Sequence, residues 1–471
     1  METQNSMQQQ ILKGSLTRVI MLLVIPILGS HFLETAWHFL NGFWVGRLGP
    51  VSFAAVNVSS FFIWMSYAFM GIMNTGTTAL VAQYDGAGQS DRAGKVAHQG
   101  LIGASIISLA YSLVLIFMGK TFFTLMGAAP EVVSEAYRYT FLVALFGVPF
   151  GIMESLCSIL RGYGDTRTPL SALTWGFLIT FVLDPFLILG IKPFPHLGIA
   201  GGAIAANTGF MVTLIIFFVL VRRRVLRFRF EGRSLVPDLH LLKNIVSVGL
   251  PPSMTSIVFS VVYILLTTII AKFGTEAMAA IGIGHRIESF SFMICLGFSL
   301  TAVTMIGQNL GAGNVKRAEK ASWIIVGIIS VITTAIGVLF YVFCDPLAAL
   351  FINDMATQRI AASYLRIVSL CQVFMGIAIV MDGAFSGSGN TIVPMLITIP
   401  VTFLRIPLAW YLAFPMAMGV DGVWWAITIL VAVRALFSSV WFVLGRWKKS
   451  RFIHEGEGHL GERGELLKEY R

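Results

Sequence analysis

Charge is scarce in this chain of 471 residues: Asp, Glu, Lys and Arg together make up 12%, about half the share of an ordinary globular domain. A soluble domain of this length is excluded. Cysteine is almost missing. Cys157, Cys295, Cys344 and Cys371 stand singly in apolar stretches, so no disulfide framework or cysteine metal site is in view, and the four read as packing residues that say nothing of redox compartment. No nucleophile elbow and no His/Asp/Glu cluster with metal-ligand spacing stands out, leaving no catalytic residue and no metal site to nominate. No small-residue cleavage site follows the first apolar run, which reads as an uncleaved span and not a signal peptide.

What is present is hydrophobicity: 56% of residues, with a mean hydropathy of +0.81. Twelve runs are long enough to cross a bilayer as helices, at about 16–40, 53–77, 97–119, 134–157, 168–191, 198–221, 243–270, 277–305, 321–345, 360–384, 391–414 and 420–446. The net charge of +10 invites a nucleic-acid reading, but its placement argues otherwise. With a cytoplasmic N-terminus, the termini and even-numbered loops hold 23 of the 33 Lys and Arg, and the opposite loops hold seven. That asymmetry is the positive-inside bias, and it predicts a multi-pass protein of the cell membrane with both ends in the cytoplasm. "RRRVLRFRFEGR" at 222–233 reads as a topology anchor at an anionic leaflet, with no nucleic-acid role.

The chain is also a duplication. "GRLGPVSFAAV" recurs as "AKFGTEAMAAI", "QYDGAGQSDRAGK" (83–95) as "QNLGAGNVKRAEK" (308–320), and "GYGDTRTP" (162–169) as "GSGNTIVP" (387–394). One constant offset relates all three pairs, the same that carries Gly49 onto Gly274 and Pro169 onto Pro394. Later it shortens slightly, so that Gly198 and Gly201 fall on Gly419 and Gly422. Six spans per repeat is an even number, so the halves are parallel repeats related by a pseudo-two-fold axis along the membrane normal. The expected organisation is an all-α integral membrane protein of twelve helices in two six-helix lobes. The N-lobe would cover 1–221, a basic linker 222–242, the C-lobe 243–446 and a cytoplasmic tail 447–471. The two glycine-rich copies are not phosphate loops, since neither contains Gly-Lys-Ser/Thr and each follows a membrane helix. They read as tight turns, with Ser90 and Asp91 capping a short surface helix.

"WVGRLGPVSFAAV", "QYDGAGQSDRA", "ILRGYGDTRTP", "LDPFLILG" before "LGIAGGAIAANTG", and "GHRIESFSFMICLGFSLTAVTMIGQNLGAG" also stand in this chain. Together they resemble the multidrug and toxic compound extrusion family, and look closest to its DNA-damage-inducible F-like branch. The resemblance spans roughly residues 15–445. It implies a two-lobed antiporter, not an enzyme, that expels amphipathic and often cationic compounds by alternating access. Inward movement of protons or sodium would drive it, with no cofactor beyond the coupling ion. A flippase for lipid-linked substrates on a related two-lobed bundle is the alternative. The implied partners are small amphipathic molecules and membrane lipids, and the chain is expected to act as a monomer.

Such a machine needs an ionisable group inside the membrane, where each one costs about 2.5–3.5 kcal/mol and is a functional candidate by default. Asp184 comes first: it lies some 24 Å into its span at ~1.5 Å per residue, ahead of Pro185, which frees backbone carbonyls. The resemblance carries the cation-site role onto Asp184 and brings Thr180, Asn41 and Asn207 with it. Three positions depart from the family pattern: Asn41 replaces an aspartate, Thr180 an asparagine, and Asn207 stands near where a threonine is usual.

His31, Glu34, His38 and Asn41 fall within about 80° on one helix face. Glu34 is expected to lie within a turn of the depth of Asp184 and to share one cavity with it, with His31 and His38 as proton relays. Glu154 and Asp382 are expected near the inner ends of their spans, in a water-accessible vestibule or gate. Arg405, near the repeat position of Asp184, needs a carboxylate partner such as Glu288. Arg286 and Glu288 are expected to neutralise one another.

Overall fold

The computed structural model describes residues 2–222 and 236–448, and among these every regular element is helical. Most of the basic cluster at 222–233 and of the 447–471 tail lies outside the described residues. In chain order the helices are α1 (Glu2–Lys13), α2 (Leu16–Gly46), α3 (Pro50–Gly86), α4 (Ser90–Leu125), α5 (Pro130–Leu145), α6 (Gly147–Gly162), α7 (Arg167–Leu189) and α8 (Ile199–Arg222). They continue with α9 (Leu239–Ile270), α10 (Thr275–Gly311), α11 (Val315–Val342), α12 (Cys344–Ala349), α13 (Met355–Ser369), α14 (Gln372–Ser388), α15 (Ile392–Ala413) and α16 (Val420–Val443). Ten are long and apolar enough to span a membrane alone, and the bent pairs α5–α6 and α13–α14 supply two further spans. All twelve apolar runs therefore become membrane helices.

Each bend, 55° and 57°, falls where the sequence shows an unbroken apolar run. The two sites, Phe146 and Cys371, are equivalent positions of the repeat. Pro149 lacks the N–H that would continue the ladder at the first. The second has no proline and turns instead through tightened bonds from Leu370 and Cys371 N–H to the carbonyls of Ile367 and Val368. α3 and α10 each run 37 residues, about 55 Å at 1.5 Å per residue, well beyond a ~30 Å hydrocarbon core. Their polar ends carry the glycine-rich motifs out of the apolar zone.

Those motifs are turns. Gly88 and Gly313 have φ of +72° and +73°, and Gly164 and Gly389 have +80° and +79°, the left-handed region that glycine enters without penalty. The helix after the first motif is not short: Ser90 opens α4 directly, behind Gln89 as N-cap with no side-chain capping bond. In the second motif Arg317 reaches back to donate to the Ile11 and Gly14 carbonyls, fixing the end of α1.

Two compact units divide the chain. The first contains Met1–Gln10, Leu22–Val81 and Gln89–Leu250; the second contains Ile11–Met21, Ala82–Gly88 and Pro251–Arg471. Within the first, α7 and α8 press together at Gly176 and Gly209, where a Cβ on either would come 2.6 Å from the other's carbonyl oxygen. Within the second, the end of α3 meets the end of α10 at Gly86 and Gly311, each lying against the other helix's backbone. Tyr364 and Trp424 stack edge-on at 4.9 Å in the buried core of that unit.

Candidate functional site

Asp184 is fully buried in the first unit. It sits on α7 in front of Pro185, a proline inside the helix. The Asn41 amide on α2 donates to both carboxylate oxygens at 3.5 and 3.4 Å, long bonds that leave room for adjustment. Trp37, one turn before Asn41, turns its buried indole N–H toward the same carboxylate. Gly202 on α8 makes space for this contact, because a Cβ there would lie 2.8 Å from Asn41 Nδ2. The residues grouped with Asp184 by sequence now separate. Asn41 meets it, whereas the Thr180 hydroxyl is bound to the carbonyls of Gly176 and Ala205. Asn207 donates to the Leu142 carbonyl.

A second centre lies further along the α2 stripe. Glu34 faces His31 across 3.5 Å and hydrogen-bonds Tyr67 of α3. Its carboxylate neighbour is Glu154 on α6, and Asp184 does not enter its surroundings. The shared cavity for Glu34 and Asp184 is therefore replaced by two centres. The reason is helical rise: Glu34 and Asn41 share a face but lie seven residues apart, about 10 Å along the axis. His38 stacks on Trp37 with centroids 4.5 Å apart, between the two centres. Glu154 turns toward Glu34 and His31, with Arg161 also nearby. Tyr67, read from sequence only as one member of an aromatic face, is the hydroxyl that joins α3 to this cluster. A phenol in the middle of an apolar span was its one available signal.

In the second unit, Asp382, expected at a gate or in a charge pair, forms an ion pair with Arg434 and keeps partial exposure. Glu288 is committed elsewhere than to Arg286 or Arg405: its two oxygens accept from Tyr364 Oη at 2.8 Å and Gln372 Nε2 at 3.1 Å. Arg286 points out on the exposed side of α10, since residues two apart on a helix do not face one another. Arg405 is 2% exposed and lies over the rings of Phe259 and Tyr263, 5.4 and 5.9 Å from their centroids. Among the described residues no three His, Cys, Asp or Glu side chains gather as a metal site.

The model of the MatE family matches residues 26–186 and 251–411, once in each repeat. The chain is similar to a probable multidrug resistance protein NorM of Thermotoga maritima, 27% identical over 91% of this chain and 92% of that protein. It is likewise similar to a probable multidrug resistance protein YoeA of Bacillus subtilis, 26% identical over 93% and 96%. A crystal structure of MATE in the bent conformation superposes with a TM-score of 0.87, at 25% identity, over 93% of this chain and 97% of that one.

Proposed function

The chain belongs to the MatE family, and from that premise we propose that its multidrug export is an antiport driven by protons or sodium ions entering through the first unit. The observation that supports this most is Asp184: a carboxylate with no measurable exposure, contacted by a neutral amide, in a chain that otherwise avoids charge. Its stability as an anion is poor in a low-dielectric interior. A proton, a sodium ion or a cationic substrate each relieves that cost, and only one is needed at a time. Competition for one carboxylate is the simplest physical basis for exchange: the arriving cation releases the substrate, and the arriving substrate releases the cation.

Glu34, beside Tyr67 and His31, and Glu154, within its electrostatic range, form a second place where a cation is favoured. Asn41 retains the contact with Asp184 without a charge of its own. On this reading Glu34 and Glu154 take over the negative charge absent from position 41, and Asp184 binds the coupling ion. Substrates are amphipathic organic cations, the protein sits in the cell membrane with both termini cytoplasmic, and the site opens to each face in turn. Expression in a pump-deficient host with a panel of cationic dyes tests the export reading. Protection that survives collapse of both the proton and the sodium gradient contradicts it.

A further inference from the structure

The duplication has reversed the sign of one of its two centres. Phe259 and Tyr263 occupy the repeat positions of Glu34 and His38, and Arg405 occupies that of Asp184 at the shorter offset that also relates Gly198 to Gly419. Where the first unit gathers carboxylates and imidazoles, the second gathers two aromatic rings around one guanidinium. We propose that Arg405, with Phe259 and Tyr263, is a receiving site for a singly charged anionic group on an aromatic solute, a carboxylate in the first instance. The inference rests on the export reading above and extends it to acidic and zwitterionic substrates.

Three observations carry it. Arg405 is almost wholly removed from water by the protein, with 2% exposure; it meets the Tyr263 side chain, and its Nε and Nη1 atoms have no hydrogen-bond partner. A buried guanidinium left in that state is costly unless a counter-charge arrives. Glu288 on the neighbouring helix is not hydrogen-bonded to it, since its oxygens accept from Tyr364 and Gln372. Phe259 of α9, which lies under the guanidinium, is 37% exposed. An incoming ring can lie against Phe259 and Tyr263 while its acidic group reaches the guanidinium. One uncompensated cation balances one negative charge, which favours a carboxylate over a doubly charged phosphate monoester.

Equilibrium binding to the full chain in neutral phosphatidylcholine vesicles tests this, with fluorescent anthracene carboxylate and its neutral analogue anthracene methanol as probes. The carboxylate is expected to bind about tenfold tighter than the alcohol, the worth of one charge-assisted contact. Arg405→Gln should erase that preference, and Arg405→Lys should retain part of it. Phe259→Leu should weaken both probes alike. Retention of the full preference in Arg405→Gln overturns the proposal. Should that variant not fold, the wild type decides alone: equal affinity for the two probes also overturns it. Displacement of the carboxylate by phosphatidylglycerol vesicles but not by soluble aromatic carboxylates assigns the seat to a lipid phosphodiester and rejects the solute. Binding is read without any ion gradient, so failure of the antiport reading, seen as gradient-independent dye export, is a separate result.

Discussion

A carboxylate facing another carboxylate inside a membrane protein works only if something positive sits between them for part of the time. Glu34 has His31 3.5 Å away, Tyr67 donating to it and Glu154 within electrostatic range, an arrangement into which a cation would fit. Neutralising either side, Glu34→Gln or Glu154→Gln, should lower gradient-driven export about tenfold or shift its pH profile while leaving expression intact; proteoliposome efflux across a pH series measures it. Export with an unchanged rate and profile in both variants would make the pair structural. Gly202→Ala probes the other centre from behind, because its Cβ would press on Asn41 Nδ2 at 2.8 Å. The amide can yield, so folding should survive while transport falls, and a thermal melt run beside the efflux assay separates the two. For single residues the sequence named candidates, and only the structure says which of them meet. The Asn41–Asp184 contact was legible from helix position and family pattern. The placing of Glu154 within electrostatic range of Glu34 was not, since it depends on how α2, α3 and α6 settle against each other, and no single-helix periodicity encodes that.

Helices in this protein approach each other through glycine, so the contacts between elements are sensitive to single methyl groups. Gly209→Ala places a Cβ 2.6 Å from the Gly176 carbonyl oxygen, a backbone atom that cannot swing away. Overpacking of this kind costs about 1–3 kcal/mol. A thermal-unfolding midpoint several degrees below wild type is expected, and Gly42→Ala, with nothing within 4 Å of its Cβ, should leave the midpoint unchanged. A cap outside the spans makes a pH prediction. Asp354 accepts from Thr357 N and Oγ1 at 2.8 and 2.7 Å at the start of α13, and those bonds hold its carboxyl below the usual carboxylate range. Its contribution is therefore complete above the unfolded value and is lost as pH falls through the lower folded one. Amide exchange in the first turn of α13 should quicken in Asp354→Ala at neutral pH, with the difference shrinking in strong acid. The twelve spans were readable from apolar run length alone. The bends near Phe146 and Cys371 were not, because the hydropathy profile is the same for a straight helix and a bent one, and only Pro149 gave a local sign of either.

At the scale of the whole molecule, one ancestral half has been kept twice in fold and once in chemistry. The turns repeat with matched glycine angles and the bends repeat in place, while the charged centres have diverged into carboxylates in the first unit and Arg405 in the second. Selection on geometry preserves backbone positions, and the ion-handling role proposed here needs only one of two equivalent sites. The charge asymmetry also predicts orientation. A cysteine at exposed Ser90 should react with an impermeant maleimide from the cytoplasmic side, and one at exposed Lys192 from the opposite side. Labelling of both from one side would contradict the odd number of membrane crossings between them. Asp184 is the residue proposed to couple export to an ion. The most direct measurement is substrate efflux in proteoliposomes under an imposed proton or sodium gradient, comparing wild type with Asp184→Asn at equal folded protein. Asp184→Asn is expected to bind cationic substrate more weakly and to lose all gradient-driven export; an Asp184→Asn protein that exports at the wild-type rate with the wild-type ion dependence would contradict the role proposed for this carboxylate.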